Sequence, residues 1–248
     1  MYCHCYGRMN IRADLHIHSC LSPCASLDMG PRDIVAQACE RNLTHLALTD
    51  HNSTRNCVVM AELCAEAGLV FFPGMEVTTS EEIHVLLYFP SVAEALRAGK
   101  EIEASLSPRV PLRAEQMGYE AVVDRENNVC ELLDWYLSVS TTYSLNDLSR
   151  FATSFGACIV PAHILKPLFS ITSQLGFLLP NAPYDAVEIS HGNRHRAGEV
   201  SGYPWITSSD SHYLDDIGKC FTEFHADTLP KTPREFFAYL PRRGSKGV

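Results

Sequence analysis

The sequence predicts an α/β fold, and three observations carry that prediction. Strand-like and helix-like segments alternate along most of the chain, which implies parallel strands with helices packed outside them. The chain has 248 residues, 46% hydrophobic and 20% charged, enough for one large domain with a substantial core. Residues suited to chemistry recur at the carboxyl ends of the strand-like segments, where parallel α/β folds collect their functional groups.

Each element has a local reason. The opening "MYCHCYGRMN" has no apolar periodicity and reads as a leader over residues 1–10, before a single domain over 11–248. Its Cys3, His4 and Cys5 lack the four-ligand spacing of a structural zinc site. In "ADLHIHS" side chains alternate across a strand, placing Asp14, His16 and His18 on one face and Leu15 and Ile17 on the other. "MGPRDIVAQACERN" reads as a helix, with Pro31 in its first turn and a stripe of Ile34, Val35, Ala38 and Cys39. "LTHLALTDHN" follows as a buried strand, and "TRNCVVMAELCAEAG" as a helix stopped at Gly68. "LVFFPGMEVTT" and "IHVLLYF" are strands, and "SVAEALRAGKEIEASL" is a helix.

Residues 106–143 break this rhythm. "GYEAVVDRENNVCELL" holds two short strands around the polar turn "DRENN", so the segment reads as an inserted hairpin. The repeat resumes with helix "SLNDLSRFATSFG", opened by Ser144, and strand "ACIVPAH". "YDAVEIS", "YPWITSSDSH" and "KCFTEFHA" are later strands, and "TPREFFAYL" is the last helix. No repeat, low-complexity tract or linker divides the chain, so one domain is expected.

Bulk properties narrow the function. A net charge of −9 argues against stable binding of duplex nucleic acid, although short fragments and phosphorylated metabolites fit locally concentrated positive charge. No apolar run approaches the roughly 20 residues of a membrane helix, and no secretion signal is visible. The ten cysteines are scattered, and Cys39, Cys64 and Cys158 read as small hydrophobes rather than a disulfide framework. A reducing, cytoplasmic setting is expected.

The strand ends carry the chemistry. His16 and His18 end the first strand, Asp50 and His51 follow the second, and Glu76 ends the third. His84 begins the next, His163 follows "CIVPA", and Asp210 and His212 follow "YPWITSS". Singly, Asp50 would begin a turn, Glu76 would cap an amide, and His163 would be a satisfied core histidine. Jointly, six of 11 histidines and three carboxylates would crowd a dry pocket at several kcal/mol per unpaired charge. Divalent cations remove that cost, and imidazole is the commonest metal ligand. Metal binding is the better reading.

In this order, "DLHIHS", "LTDHN", "GMEVTTSEEIH", "PAH" and "SSDSH" resemble the motifs of the polymerase and histidinol phosphatase (PHP) family, from Ala13 to Gly218. The resemblance implies a distorted (β/α)7 barrel whose two- or three-metal centre hydrolyses phosphoesters. Carried over by motif, it implies that His16, His18, Glu76 and Asp210 hold a first ion. Glu76 would bridge to a second, held by His84 and His163, while His51 and His212 would hold a third. Asp50 matches a position outside the direct ligands and would orient a histidine. One departure stands out: where the family places His or Asp, five or six residues past the second histidine, "HSCLSPC" has Pro23 and Cys24. Either Cys24 ligates as a thiolate, favouring zinc or iron over magnesium, or it is a small residue and the third site is weak. Asp28 is a further substitute.

Such a centre suits phosphate, since three divalent ions outweigh Glu76, Asp210 and an ionised Cys24 and leave a local positive field. Zinc, manganese or iron are the candidate metals, and a metal-bridging hydroxide would attack phosphorus. No "GxSxG" elbow or "GxxxxGK" loop competes with this reading. Around the centre, "HILKP" supplies Lys166, and "EISHGNRHR" supplies His191, Asn193, Arg194, His195 and Arg196. Lys166, Asn193 and Arg194 are the candidate substrate contacts and His191 the candidate leaving-group acid, against the alternative of a solvated loop. The expected function is hydrolysis of small phosphate monoesters or nucleotides. The alternatives are a nuclease on short single strands, a hydrolase of C–N bonds, and a non-catalytic metal-binding regulatory module.

Overall fold

The structure is a computed structural model that describes residues 8–179, 181–200 and 202–241. Strand β1 (Met9–Asp14) leads to helix α1 (Pro31–Glu40), strand β2 (His45–Leu48) and helix α2 (Cys57–Ala67). Gly68 ends α2 in the left-handed region at φ 73°, the conformation glycine adopts at least cost. Strands β3 (Val70–Thr78) and β4 (His84–Tyr88) follow, then helix α3 (Val92–Ala104), whose Ser91 cap accepts from the Glu94 amide. The interrupting segment contains a short helix, α4 (Ala114–Met117), and the antiparallel strands β5 (Ala121–Val123) and β6 (Val129–Leu132). Helix α5 (Leu145–Ser154) opens with a capping box between Ser144 and Asp147. Strand β7 (Cys158–Pro161), helix α6 (Ile171–Leu175) and the two-residue strands β8 (Val187–Glu188) and β9 (Trp205–Ile206) come next. Strand β10 (Thr222–Ala226) and helix α7 (Pro233–Ala238), capped by Thr232 and Glu235, complete the order.

The main sheet has the order β10-β1-β2-β3-β4-β7. Only β1, β2 and β3 are parallel; β10 against β1, β3 against β4 and β4 against β7 are antiparallel. The expectation of parallel strands throughout is corrected here. Residues 79–83 join β3 to β4, and a crossover to a parallel neighbour needs about a dozen residues or more. Beyond β7, Asp185 N–H donates to Ile159 O and Ile164 N–H to Glu188 O, while a bridge joins Ser211 to Ile17. The result is a mixed α/β fold whose sheet curls into a half barrel. Met9 and Asn10, read above as leader, pair with Ala226 and His225; Cys3, His4 and Cys5 lie outside the described residues. No helix among the described residues is long and apolar enough to cross a membrane.

Alternation along the strands decides which side chains face where. The concave side gathers Ile11, Ala13, Leu15, Phe72, Leu86, Tyr88 and Val160 under Phe236 and Phe237 of α7. The convex side packs Leu46 and Leu48 on α1 and α2, and Met75, Val77, Val85 and Leu87 on α3 and α5. Full burial of each large side chain is worth roughly 1.5–3 kcal/mol. Leu15 and Ile17 do not share a cluster as their spacing suggests: β1 ends at Asp14, and Ile17 turns to the convex side. Gly74 lies where strands approach closely, since a Cβ there would meet Leu87 O at 2.8 Å.

The inserted hairpin docks beside the loop after β1. Ala121 N–H donates to Cys20 O, and the Asn56 side chain bonds both Ala121 O and the Val123 amide. Next to β5, the buried Glu120 accepts from Leu137 N–H at 2.8 Å through one carboxyl oxygen, while the other has no partner among the described residues. Desolvation pushes this carboxyl up to about 8. A raised folded pKa contributes stability below the unfolded value, near 4.5, that is lost as pH rises through 8. Glu120→Gln should therefore gain on the wild type between pH 5 and 9, by an amount on the order of 2–3 kcal/mol. Urea midpoints at both pH values measure this, and a difference constant with pH contradicts it.

Candidate metal centre

Strands β3 and β4 build the centre by the same alternation that builds the core. Their concave positions run Phe72, Gly74, Glu76 and Tyr88, Leu86, His84, so an apolar floor ends in a polar rim. Glu76, 1% exposed, is the hub. One of its oxygens lies 3.0 Å from His84 Nδ1, 3.2 Å from His163 Nε2 and 3.4 Å from His16 Nε2. The other lies 3.2 Å from His51 Nδ1 and 3.4 Å from His18 Nε2. Asp210 adds an oxygen 3.3 Å from His16 Nε2 and 3.5 Å from His18 Nε2, and its second oxygen pairs with Lys166. His163 (φ 29°) and Asp210 (φ 55°) both sit at positive φ. Such conformations are uncommon outside glycine and cluster at functional sites.

These groups fit divalent cations. His16 Nε2 and His18 Nε2 are 3.2 Å apart, and one Asp210 oxygen lies 3.3 and 3.5 Å from them, so these three separations match a tetrahedron's edge. That edge is about 3.3 Å for metal–nitrogen bonds of about 2.0–2.1 Å. His51 Nδ1 is buried with no hydrogen-bond partner among the described residues, which suits a ligand atom. Three groups bring their ligand atoms within 4.8 Å of one another: His16, His18 and Asp210; His51, Glu76 and His84; and His18, Cys24, His51 and His212.

A second layer holds the imidazoles. His16 Nδ1 donates to both Glu188 oxygens, at 3.0 and 3.1 Å, and Glu188 also accepts from the His163 amide. His18 Nδ1 donates to Ser22 Oγ (3.0 Å), which donates to Asp50 (2.7 Å). Asp50 accepts two further bonds from Ser19. His212 Nδ1 donates to Asp210 O, leaving Nε2 free to ligate. Burial opposes protonation of His16, but Glu188, Asp210 and Glu76 outweigh it and hold its pKa well above the usual range. Burial, reinforced by His212 and His16, lowers His18 to about 4. Burial, then His18, holds His51 well below its usual range. Glu76 and Asp210, although desolvated, are held well below the carboxylate range by the neighbouring histidines.

All nine residues expected as ligands gather here. Cys24 lies beside His18, His51 and His212 at the exposed mouth of the site; desolvation of the thiol, then Glu76, pushes it up to about 12, and a bound cation would favour its thiolate. These groupings overlap the sets expected for the first and third ions, and His163 Nε2, 3.2 Å from Glu76, lies beside the remaining group of His51, Glu76 and His84. Asp50 faces Ser19 and Ser22 rather than the cavity and reaches His18 through the Ser22 hydroxyl. Lys166 lines the cavity, and His191 lines an adjoining one with Lys166, Asp210 and His212. Asn193 and Arg194 are corrected. A 3-10 segment (His191–Glu199) turns them away, so that Asn193 donates to Leu165 O and Arg194 to Phe221 O. Arg194 lines a separate cavity with Trp205 and Cys220. The sequence reading missed Glu188, whose signal is a carboxylate at a strand end in "VEIS", along with Ser22 and Phe169.

The profile of the PHP domain family matches residues 14–144, and that of a PHP-associated segment matches 196–243. The first spans more than half of the chain. The chain belongs to the PHP domain family, a family of metal-dependent phosphoesterases. Among solved structures, the lesion-specific endonuclease Q of Pyrococcus furiosus matches 96% of this chain at 17% identity and a TM-score of 0.66. Endonuclease Q in complex with a 27-mer duplex, an abasic lesion at its active site, matches 92% at 16% identity and a TM-score of 0.61. A protein of Bifidobacterium adolescentis assigned as a metal-dependent phosphoesterase matches 81% at 18% identity and a TM-score of 0.55, over 87% of its own length. This chain spans only 57% and 56% of the two endonuclease Q chains, and such identities show a shared fold alone. No curated protein matches it.

Glu188→Ala should leave His16 without its partner and weaken divalent-metal binding about 10–100-fold. Equilibrium dialysis against zinc or manganese measures this, and an unchanged affinity contradicts it.

Proposed function

We propose that this protein is a metal-dependent hydrolase of phosphate esters, acting on small phosphate monoesters or nucleotides. The observation that supports this best is the gathering of Cys24, His51, Glu76, His84, His163, Asp210 and His212 around one cavity of about 350 Å³, with His16 and His18 beneath it. On this reading His16, His18, Glu76 and Asp210 hold one ion, and Glu76 with His84 and His163 holds a second. Cys24, His51 and His212 hold a third, and the thiolate favours zinc or iron there. Manganese remains a candidate for the other two. Bound cations would polarise a phosphoryl oxygen and make water nucleophilic at neutral pH. The chain's own residues do the rest. Glu188 fixes the tautomer of His16, and Asp50, through Ser22, that of His18. Burial opposes protonation of Lys166, but Asp210 outweighs it and raises its pKa, so its ammonium is available to a phosphate oxygen. His191, at the rim of the adjoining cavity, would hand a proton to the leaving group. The same reading takes residues 11–248 as one domain with 106–143 inserted. The β8–β9 pair would then complete a distorted (β/α)7 barrel.

A second reading, nuclease action, is favoured by the fold shared with endonuclease Q, whose complex holds a lesion-bearing duplex. Two facts weigh toward small substrates. The chain is acidic overall, and Lys166 is the only lysine or arginine lining the two cavities over the centre among the described residues.

Protein purified without chelator should carry at least two divalent ions per chain and release phosphate from a phosphomonoester panel with Mn, Zn, Fe or Mg. Absence of both bound metal and released phosphate would overturn the reading, and turnover of short oligonucleotides but not mononucleotides would favour the nuclease. Glu76→Gln should lower phosphate release by about 100-fold or more. Cobalt-loaded wild type should show a thiolate-to-cobalt absorption band in the near ultraviolet. Cys24→Ser should lose both the band and one bound ion; a band that persists excludes Cys24 as a ligand.

A further inference from the structure

The cavity over the centre has one wall that no ligand set accounts for. Pro167, Leu168 and Phe169 face the same space as Glu76, His84 and Asp210. Leu168 is 67% exposed and Phe169 42% exposed, although large apolar groups are ordinarily buried. Phe169 is fixed twice to a candidate ligand. Its carbonyl accepts from the His84 amide at 2.9 Å, and its ring stacks on the His84 imidazole with centroids 4.8 Å apart and planes 16° from parallel. Its backbone sits at φ 54°, a genuine outlier for a bulky residue, held by these contacts. The neighbouring Lys166 pairs with Asp210. One short run, "KPLF", therefore places an ammonium at the metal cluster and an open aromatic surface beside it.

We propose that Phe169, flanked by Leu168, is a specificity-determining residue that stacks against the base of a nucleoside phosphate whose phosphate lies on the metal cluster. This rests on the hydrolase reading above and narrows its substrate class. A sugar phosphate uses the cluster and Lys166 but gains nothing from the wall. A nucleotide uses both, since every base offers a π-face. The wall presents no side-chain hydrogen-bond donor or acceptor, so discrimination among bases should be slight. A cavity of about 350 Å³ falls at the small end of ligand pockets, about 300–1,000 Å³. It suits a single nucleotide unit, free or at the end of a strand.

The test compares AMP, UMP, a 5′-phosphorylated dinucleotide and ribose 5-phosphate with manganese-loaded wild type, Phe169→Leu and Phe169→Tyr. Phe169→Leu should raise KM for the nucleotides about ten-fold, the loss of one base–aromatic stack. Phe169→Tyr should restore it, and KM for ribose 5-phosphate should not move. Which of AMP and the dinucleotide is turned over tells a free nucleotide from a strand end. An equal rise with ribose 5-phosphate would mean that Phe169 merely props His84, and an unchanged nucleotide KM would mean no stacking; either overturns the proposal. AMP binding is read separately by calorimetry. Phe169-dependent binding without turnover would sink the hydrolase reading and keep this one, whereas loss of both would sink both.

Discussion

One buried carboxylate governs this molecule. Glu76 is surrounded by nitrogens of five imidazoles at 3.0–3.4 Å, in a place water scarcely reaches. Burying even one unpaired charge costs several kcal/mol, and adding Asp210 makes the assembly untenable without compensation. The surroundings read as responses to that constraint. Glu188 and the Ser22–Asp50 relay saturate the far sides of His16 and His18, so that the near sides are left to face inward. The apolar floor of Phe72, Leu86 and Tyr88 keeps the carboxylate in a dry, rigid setting, where a cation is the natural partner.

The same geometry separates local from global electrostatics. The chain as a whole is acidic, yet the cavity over Glu76 places a lysine beside a cluster of residues able to hold cations. Charge-steered recognition of a long polyanion needs a basic surface extending well beyond the reacting bond. A small anion needs only the immediate field.

How much of this the sequence disclosed depends on the range of the signal. Gly68 and Ser144 end or begin helices through contacts within a few residues, so local rules found them. The strand-end histidines were legible because aliphatics alternate with imidazoles in "LHIH", a pattern solvent does not select. Strand direction was not legible, because a buried antiparallel strand such as β4 has the same composition as a parallel one. Only the short 79–83 connection distinguishes it. Glu188 escaped notice because one glutamate between Val187 and Ile189 resembles any two-faced strand. Asn193 and Arg194 were misplaced because a charge run does not reveal the 3-10 turn that rotates it. Phe169 carries no periodic signal at all, and its meaning depends on the His84 ring beneath it.

The closure of the concave side has a consequence for biosynthesis. The outer partner of β1 is β10, and the Asn10–Glu223 contact that joins them spans 213 residues. The phenylalanines that roof the interior, Phe236 and Phe237, are translated later still. A nascent chain emerging from the ribosome can form the α1–β2–α2–β3 unit early, but its hollow stays open until those late segments emerge. Until then the edge of β1 that pairs with β10 has no strand beside it. That interval is when exposed sheet edges and unliganded imidazoles are most vulnerable to aggregation or to capture of the wrong ion.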